Sequence, residues 1–393
     1  MKEDWLNDQE RGWHESDKHA CPRCVGDSYL KKIVRSDLTS PRCDYCGRRS
    51  HIPIAASINV LLEVIYPAVN AYFNEPSDAG VPWDEGEYQV EGWSMGEILE
   101  SLGFDGHADL VQDVIDAEAN DAGWVPAAGG HWASSHEHDL LLASWRAFAH
   151  TVKHVTRFHF SNMPPSESNG PGDIDIRDWL PALGKQLKPL VTTLPVGTEV
   201  FRARIQSPDH PWRPTGDQLT APPPEKATAG RMNPAGIRYL YTAFDKATAL
   251  REVGIMNPPT DPVYVASFTL TRPLRVVNLT KGVLLPSSFD LGHKGKRERV
   301  LFIRGFIRAI SAPVIKDSRE HLDYVPSQVV CEYLAQVFQT KGGERLGGLI
   351  FPSSVHEGGR NLVVFPSEEH FTQGFHGVTF NRAAQHLFEP ASS

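Results

Sequence analysis

Two Cys-x-x-Cys motifs constrain the fold more than any other feature of the sequence. Four of the five cysteines form the pairs Cys21–Cys24 and Cys43–Cys46, which 18 residues separate. Each motif can present two thiolates to one ion, and four protein ligands fill a tetrahedral site. The spacing therefore predicts a structural zinc ribbon over residues 1–53, with four unrelated reduced thiols as the alternative. Zinc is the expected cofactor, because so short a segment buries too little apolar surface to fold alone and a bound metal ion would stabilise it.

Charge is distributed unevenly along the 393 residues. Residues 50–145 contain 17 Asp and Glu and no Lys or Arg. Because the formal net charge of the whole chain is -9, the remaining residues together carry a charge of +8. Such an acidic region would repel a phosphate backbone, which argues against nucleic acid as its partner. The low cysteine content, the start of the sequence and the lack of a long apolar run predict a cytoplasmic protein without a membrane span.

The hydrophobic pattern predicts a multidomain α+β protein. Helical spacing over residues 54–160, as in Trp145, Phe148 and Val152, predicts an all-helical acidic domain. A run rich in Pro and Gly at 161–173 predicts a linker. Residues 174–393 alternate short β-like runs with helical stretches and lack a regular βαβ repeat, which predicts a mixed α+β domain. The β-like runs are 199–205, 239–243, 263–268, 274–278, 348–351 and 362–365, and the helical stretches lie near 246–253, 297–310 and 327–340.

One loop in this last domain carries side chains suited to an anionic ligand. In Gly230-Arg-Met-Asn-Pro-Ala-Gly236 the glycines permit close backbone approach and Arg231 offers a planar fork for phosphate. A strand with Tyr241 follows, and then a helix with Glu252. Each feature alone is also typical of a solvated surface.

Four motifs together resemble the RES domain family, over roughly residues 190–370. They are Phe201-Arg-Ala-Arg204, Gly230-Arg-Met-Asn-Pro-Ala-Gly236 with the strand after it, Ala249-Leu-Arg-Glu252 and Tyr324-Val-Pro-Ser-Gln328. Members of that family are NAD-degrading toxins whose fold is related to ADP-ribosyltransferases. The segment from Trp145 to Phe158 is similar to the region that precedes RES domains in the HEPN/RES N-terminal group.

The resemblance implies three catalytic residues and four that bind the substrate. The catalytic residues are Glu252, Arg231 and Ser327, and the substrate-binding residues are Arg202, Arg204, Tyr241 and Asn233. Arg202 and Arg204 point to the same strand face, so either could reach the ligand. Ser327 either binds phosphate at a helix N-terminus or acts as a plain N-cap. Relatives often have Trp after the loop arginine where this chain has Met232, so a stacking ring is either missing or supplied by Trp212 or Tyr239.

The implied reaction is release of nicotinamide from NAD, with phosphate as acceptor in a phosphorylase or water in a glycohydrolase. The resemblance further implies a toxin with an antitoxin or regulatory protein partner, with antiviral defence as one setting; self-association stays open. The first alternative is a HEPN-type RNase, although three residues lie between Arg146 and His150 and seven between Arg146 and His154, where that motif needs four to six intervening residues. The second alternative is a zinc ribbon that binds nucleic acid. Six basic residues lie around the cysteine motifs: Lys31, Lys32, Arg35, Arg42, Arg48 and Arg49. Cys331 lies in an apolar helical stretch and is expected in the core.

Overall fold

The structure is a computed structural model. It describes residues 11–119, 123–164, 174–207, 209, 211–254, 261–282, 284–312, 320–340, 342–366 and 377–386. The chain divides into two compact units, of which the first contains residues 1–140 and 284–301 and the second contains 141–283 and 302–393. No helix in the described ranges combines the length and the apolar character that a membrane span requires.

The first unit is built mainly from short helices. They are α1 (Ser28–Ser36), α2 (Asn59–Tyr72), α3 (Met95–Leu102) and α4 (Ala108–Asp116). Asp27 starts α1 by accepting hydrogen bonds from the backbone N–H groups of Tyr29 and Leu30, and Ser94 and Glu97 form a capping box at the start of α3. The apolar face of α2 is buried in one core with residues of α1, α3 and α4.

Short strands occur among these helices, so the prediction of an all-helical segment is wrong. They are β1 (His19–Ala20), β2 (Ala56–Ser57), β3 (Phe73–Asn74), β4 (Trp83–Asp84), β5 (Glu87–Tyr88) and β6 (Val125–Pro126). The pairs β1–β2, β3–β6 and β4–β5 are each antiparallel. Two-residue strands give no alternating pattern long enough to be recognised in a sequence.

An eight-stranded sheet organises the second unit. Its strands are β7 (Val191–Leu194), β8 (Glu199–Ile205), β9 (Leu240–Ala243), β10 (Val263–Leu270), β11 (Leu274–Asn278), β12 (Gly348–Pro352), β13 (Arg360–Val364) and β14 (Val378–His386). Their order is β14-β10-β8-β9-β13-β12-β11-β7, and the pairs are antiparallel except for the parallel pair β11–β12. The six predicted strands and the mixed α+β class are confirmed, whereas β7 and β14 were not predicted.

Both faces of this sheet are buried. Along β13, Val363 faces a core shared with helices, while Leu362 and Val364 face a second core, as the two-residue period of a strand requires. The helices with described residues in this unit are α5 (Glu137–His154), α6 (Trp179–Leu187), α7 (Gly216–Leu219), α8 (Lys246–Glu252), α9 (Lys294–Ser311), α10 (Glu320–Asp323) and α11 (Val325–Gln336). Cys331 on α11 is fully buried, which confirms its predicted place in the core.

The boundary between the units differs from the predicted linker at 161–173. Leu141, Trp145, Phe148 and Val152 of α5 pack in the helix-covered core of the second unit, for example with the rings of Trp145 and Phe306 5.1 Å apart. The apolar face of α5 therefore groups it with the sheet that follows rather than with the acidic segment before it. Residues 165–173 of the predicted linker lie outside the described residues.

Candidate active site

A cavity of about 460 Å³ opens in the second unit at the two neighbouring strands that share the fewest ladder bonds. There β8 and β9 are paired only through Phe201 and Ala243. Side chains from both strands line the cavity, together with residues of β12, β13, the end of α8 and the loop at Arg231. The interrupted ladder thus leaves room for a ligand between neighbouring strands.

Arg202 of β8 lies in this cavity with an unsatisfied donor. Its Nη1 atom is buried and has no hydrogen-bond partner among the described residues. Burial, and then the charge of Arg204, lower the pKa of Arg202 to about 10. A buried cation without a partner costs free energy that an anion in the cavity would offset.

Arg231 reaches the same cavity from the glycine-containing loop. Its Nη1 donates to the carbonyl oxygens of Ile310, at 3.2 Å, and Ala312, at 2.7 Å, at the end of α9. The guanidinium also lies 5.6 Å from the ring centre of Tyr324. These contacts use one edge of the side chain, and no described residue accepts from Nε or Nη2, which leaves a planar pair of donors for a ligand.

Hydrogen bonds brace the loop that carries Arg231. The Tyr241 hydroxyl donates to Asn233 Oδ1 at 2.7 Å and accepts from the Met232 N–H at 2.9 Å. Asn233 Nδ2 donates to carbonyl oxygens of the same loop, so its polar atoms are committed to the protein. A Cβ at Gly230 would lie 2.8 Å from Asn233 Oδ1, which explains the need for glycine there.

Glu252 lies at the other side of the site, at the last residue of α8. Its Oε1 accepts from the Ser353 hydroxyl and from Asn361 Nδ2, each at 2.6 Å. Asn361 is buried on β13, and Ser353 follows β12 directly. The cavity is therefore lined by three arginines, Arg202, Arg231 and Arg251, and by a carboxylate whose orientation is set by two donors.

Three of the predicted site residues do not line the cavity. Arg204 is exposed; it donates to the carbonyl oxygen of Gln218 and lies over the Trp212 ring, with 4.9 Å between guanidinium carbon and ring centre. Asn233 braces the loop, as described above. Ser327 lies in the third position of α11 behind the N-cap residue Tyr324, so the predicted N-cap is wrong. Its hydroxyl bonds to the carbonyl oxygens of Arg231 and Tyr324, and the predicted phosphate contact stays a prediction.

The predicted sources of a stacking ring are also not in the cavity. Trp212 packs under Arg204, and Tyr239 is buried with its ring 5.1 Å from that of Phe365. The aromatic side chains that line the cavity are Phe201, Tyr241, Tyr324 and Phe351. Met232, at the position where relatives often have Trp, is fully buried.

Sequence reasoning missed Ser353 and Asn361, which hold Glu252. Both lie about 100 residues beyond the glutamate in sequence. Asn361 precedes an apolar run and Ser353 follows one, but neither belongs to a recognisable motif. The signal that could have found them is the order of strands in the sheet, which the sequence does not reveal.

The four cysteines of the first unit form a second candidate site. Their sulfur atoms lie within 4.8 Å of one another, and the closest approaches are 3.7–3.8 Å. A tetrahedral zinc with bonds of about 2.3 Å places its sulfur ligands about 3.8 Å apart, so the cluster fits this ion. The Cys21 N–H also donates to Cys43 Sγ, as expected for a sulfur that carries negative charge.

Fold and cavity together define an α+β domain whose cavity places arginine side chains across from a carboxylate. Comparison with protein families matches residues 199–377 to the RES domain and residues 36–166 to HEPN/RES N-terminal domain 1. Residues 199–377 are therefore a RES domain and residues 36–166 a HEPN/RES N-terminal domain, as the motifs predicted. RES domains are associated in general with NAD-related toxin function. No curated protein matches the chain.

Proposed function

We propose that this chain is an NAD-degrading enzyme that breaks the bond between nicotinamide and ribose. The observation that carries the proposal is the cavity that Arg202 and Arg231 line together with Glu252. NAD has a diphosphate that two arginines can bind and a ribose whose reaction develops positive charge. A ligand with these two features matches the charges that line the cavity.

In the proposed reaction the bond between ribose C1′ and the nicotinamide nitrogen breaks. Its electron pair moves to the nitrogen, so the pyridinium leaves as neutral nicotinamide and the ribose becomes an oxocarbenium ion. An acceptor oxygen then bonds to C1′: phosphate gives ADP-ribose with a phosphate on C1′, and water gives ADP-ribose after it loses a proton. Glu252 stabilises the positive ribose, and the arginines hold the diphosphate. Ser327 contributes indirectly, by holding the backbone of Arg231.

Product analysis tests this reaction. The purified full chain is incubated with NAD, with and without phosphate, and products are identified by mass spectrometry. With phosphate present we expect nicotinamide, together with ADP-ribose phosphate if phosphate is the acceptor or ADP-ribose if water is. Without phosphate, nicotinamide should appear only if water is the acceptor. Glu252→Gln should lower kcat by at least about 100-fold, as for loss of a transition-state charge. Glu199→Gln, an exposed carboxylate at the start of β8, is the matched control. Absence of nicotinamide, or full activity of a folded Glu252→Gln variant, would refute the proposal.

We also propose that the four cysteines bind one structural zinc ion. The support is the fit between their sulfur separations and a tetrahedral site. The ion would cross-link two turns of the chain and supply no open position for catalysis.

Toxicity, restraint by an antitoxin or regulatory protein, a role in antiviral defence, self-association and a cytoplasmic location stay predictions. The same holds for nucleic-acid binding by the cysteine-containing segment. The HEPN-type RNase is not favoured, and expression in bacteria separates it from NAD degradation. NAD should fall while ribosomal RNA stays intact, and Glu252→Gln, but not His150→Ala, should restore growth. RNA cleavage at constant NAD would instead favour the nuclease.

A further inference from the structure

We propose that Asn361 and Ser353 are positioning residues for Glu252 and that they orient its carboxylate toward the ligand. This inference rests on the function proposed above. Both side chains donate to the same oxygen, Oε1, at 2.6 Å. Hydrogen bonds of this length to a carboxylate are charge-assisted and strong. No described residue donates to Oε2, so Oε2 is the oxygen that faces the ligand.

The direction of the Ser353 hydroxyl hydrogen follows from its other contacts. Ser353 Oγ accepts from the backbone N–H groups of Val355, at 3.3 Å, and His356, at 3.1 Å. A hydroxyl has two acceptor positions and one hydrogen. With both acceptor positions used, the hydrogen is left to donate to Glu252. The turn after β12 thus fixes a donor rather than an acceptor against the carboxylate.

The loop that contains Ser353 is itself fastened to α8. Thr248 Oγ1 donates to Asp245 Oδ2 at 2.6 Å and lies 2.7 Å from His356 Nδ1. Because the Thr248 hydrogen is used by Asp245, the His356 ring donates from Nδ1. These bonds link the loop to α8 and place Ser353 beside the end of that helix.

Asn361 supplies the second donor from the interior of the sheet. Its backbone is in register with Ala243 of β9 and with Phe351 of β12, and its side chain is 5% exposed. Glu252 by contrast is exposed at a helix end, where a long side chain samples several rotamers. A buried amide on a central strand selects one of these rotamers in advance of binding, which is the form of preorganisation that catalysis requires.

Loss of either donor should therefore lower kcat and leave KM nearly unchanged, because Glu252 acts on charge that develops in the transition state. We expect Asn361→Ala to reduce kcat by about 10- to 100-fold and Ser353→Ala by about tenfold, each with KM within about threefold. Ser353→Thr keeps the hydroxyl and should retain kcat within about threefold. The matched control is Asn381→Ala, which removes a 2.7 Å hydrogen bond to Thr269 from the edge strand β14 and should not change kcat.

A second measurement does not depend on NAD turnover. The side-chain amide signals of Asn361 are assigned by their absence in Asn361→Ala and followed by NMR. Glu252→Gln should shift the donating proton upfield because its charged acceptor is lost, whereas Glu199→Gln should leave it unchanged. If the wild-type chain does not consume NAD, the proposed function fails. The NMR result alone then decides whether Asn361 donates a hydrogen bond to Glu252. Unchanged amide signals in Glu252→Gln, or normal kcat in Asn361→Ala and Ser353→Ala with an active wild type, would overturn the inference.

Discussion

Replacement of Arg202 by methionine should change stability in opposite directions with and without an anionic ligand. The Arg202 Nη1 atom is buried beside the cavity and has no described partner. Methionine has a similar length and no charge, so it fills the same space without the cost of a buried cation. The free protein should become more stable, while the gain in stability from a bound anion should fall.

The size of the first effect follows from the pKa of Arg202. Burial, and then the charge of Arg204, lower the pKa of Arg202 from 12.5 to about 10. This difference corresponds to a free-energy cost of about 3 kcal/mol for the charged form of the side chain. Water in the open cavity screens part of this penalty, so we expect a gain of about 1–2 kcal/mol. For a unit of this size the melting temperature should rise by about 2–8 °C.

The second effect is measured with ADP, a diphosphate that lacks the bond cleaved in NAD. At 100 times its Kd, ADP should stabilise the wild type by about 2.7 kcal/mol. Loss of a charge-assisted contact should weaken binding by about 10- to 100-fold, which leaves a gain of about 0.4–1.4 kcal/mol at the same concentration.

Denaturant unfolding and thermal melts give both effects in one series, with exposed Arg382→Met on β14 as the control. If Arg202→Met lowered the stability of the free protein by more than about 1 kcal/mol, the guanidinium would be a structural group with a partner. Equal stabilisation of wild type and variant by ADP would place the diphosphate elsewhere.

Three further predictions concern other parts of the chain. Elemental analysis should find about one zinc per chain in the wild type and much less in Cys43→Ser, which should also melt at a lower temperature. Burial alone would lower the pKa of His138 and raise that of Glu298, but their 2.6 Å hydrogen bond and opposite charges reverse both directions. The charge of Glu298 contributes fully to the free energy of unfolding above about pH 4.3, and that of His138 contributes fully below about pH 6.5. Urea titrations should therefore show the largest destabilisation by His138→Gln between these two pH values. The destabilisation should decrease as the pH rises through the raised pKa of His138. Gly230→Ala should reduce NAD consumption at least about tenfold because its Cβ meets the side chains that brace the loop, whereas Gly295→Ala, whose Cβ enters open space, should not.

Local patterns predicted the elements of the second unit well. Strands β8 and β11 have the predicted bounds, because alternation of apolar residues and β-branched side chains are properties of a short stretch of chain. The motifs also brought attention to Arg202, Arg231, Tyr241 and Glu252, which the fold gathers around one cavity. Their grouping follows from the family resemblance rather than from any periodicity.

Contacts that depend on strand order could not be predicted. Asn361 meets Glu252 because β13 lies beside β9, although more than 100 residues separate these strands in sequence. Arg204 shares a strand face with Arg202, yet the loop that follows supplies Trp212 and draws it away from the cavity. Ser327 lies three residues inside its helix rather than at the cap, and this small change in boundary turns its hydroxyl toward the backbone of Arg231.

The single residue pair between β8 and β9 divides the sheet into a three-stranded part and a five-stranded part. Arg202 belongs to the smaller part, while Tyr241 and Asn361 belong to the larger. A ligand that contacts both parts would connect them where the ladder bonds between β8 and β9 are missing. Binding of that ligand would therefore stabilise the association of the two parts, and separation of the parts would weaken binding. The proposed site thus lies where the sheet has the fewest ladder bonds, so ligand binding would add the most to the stability of the sheet at that point.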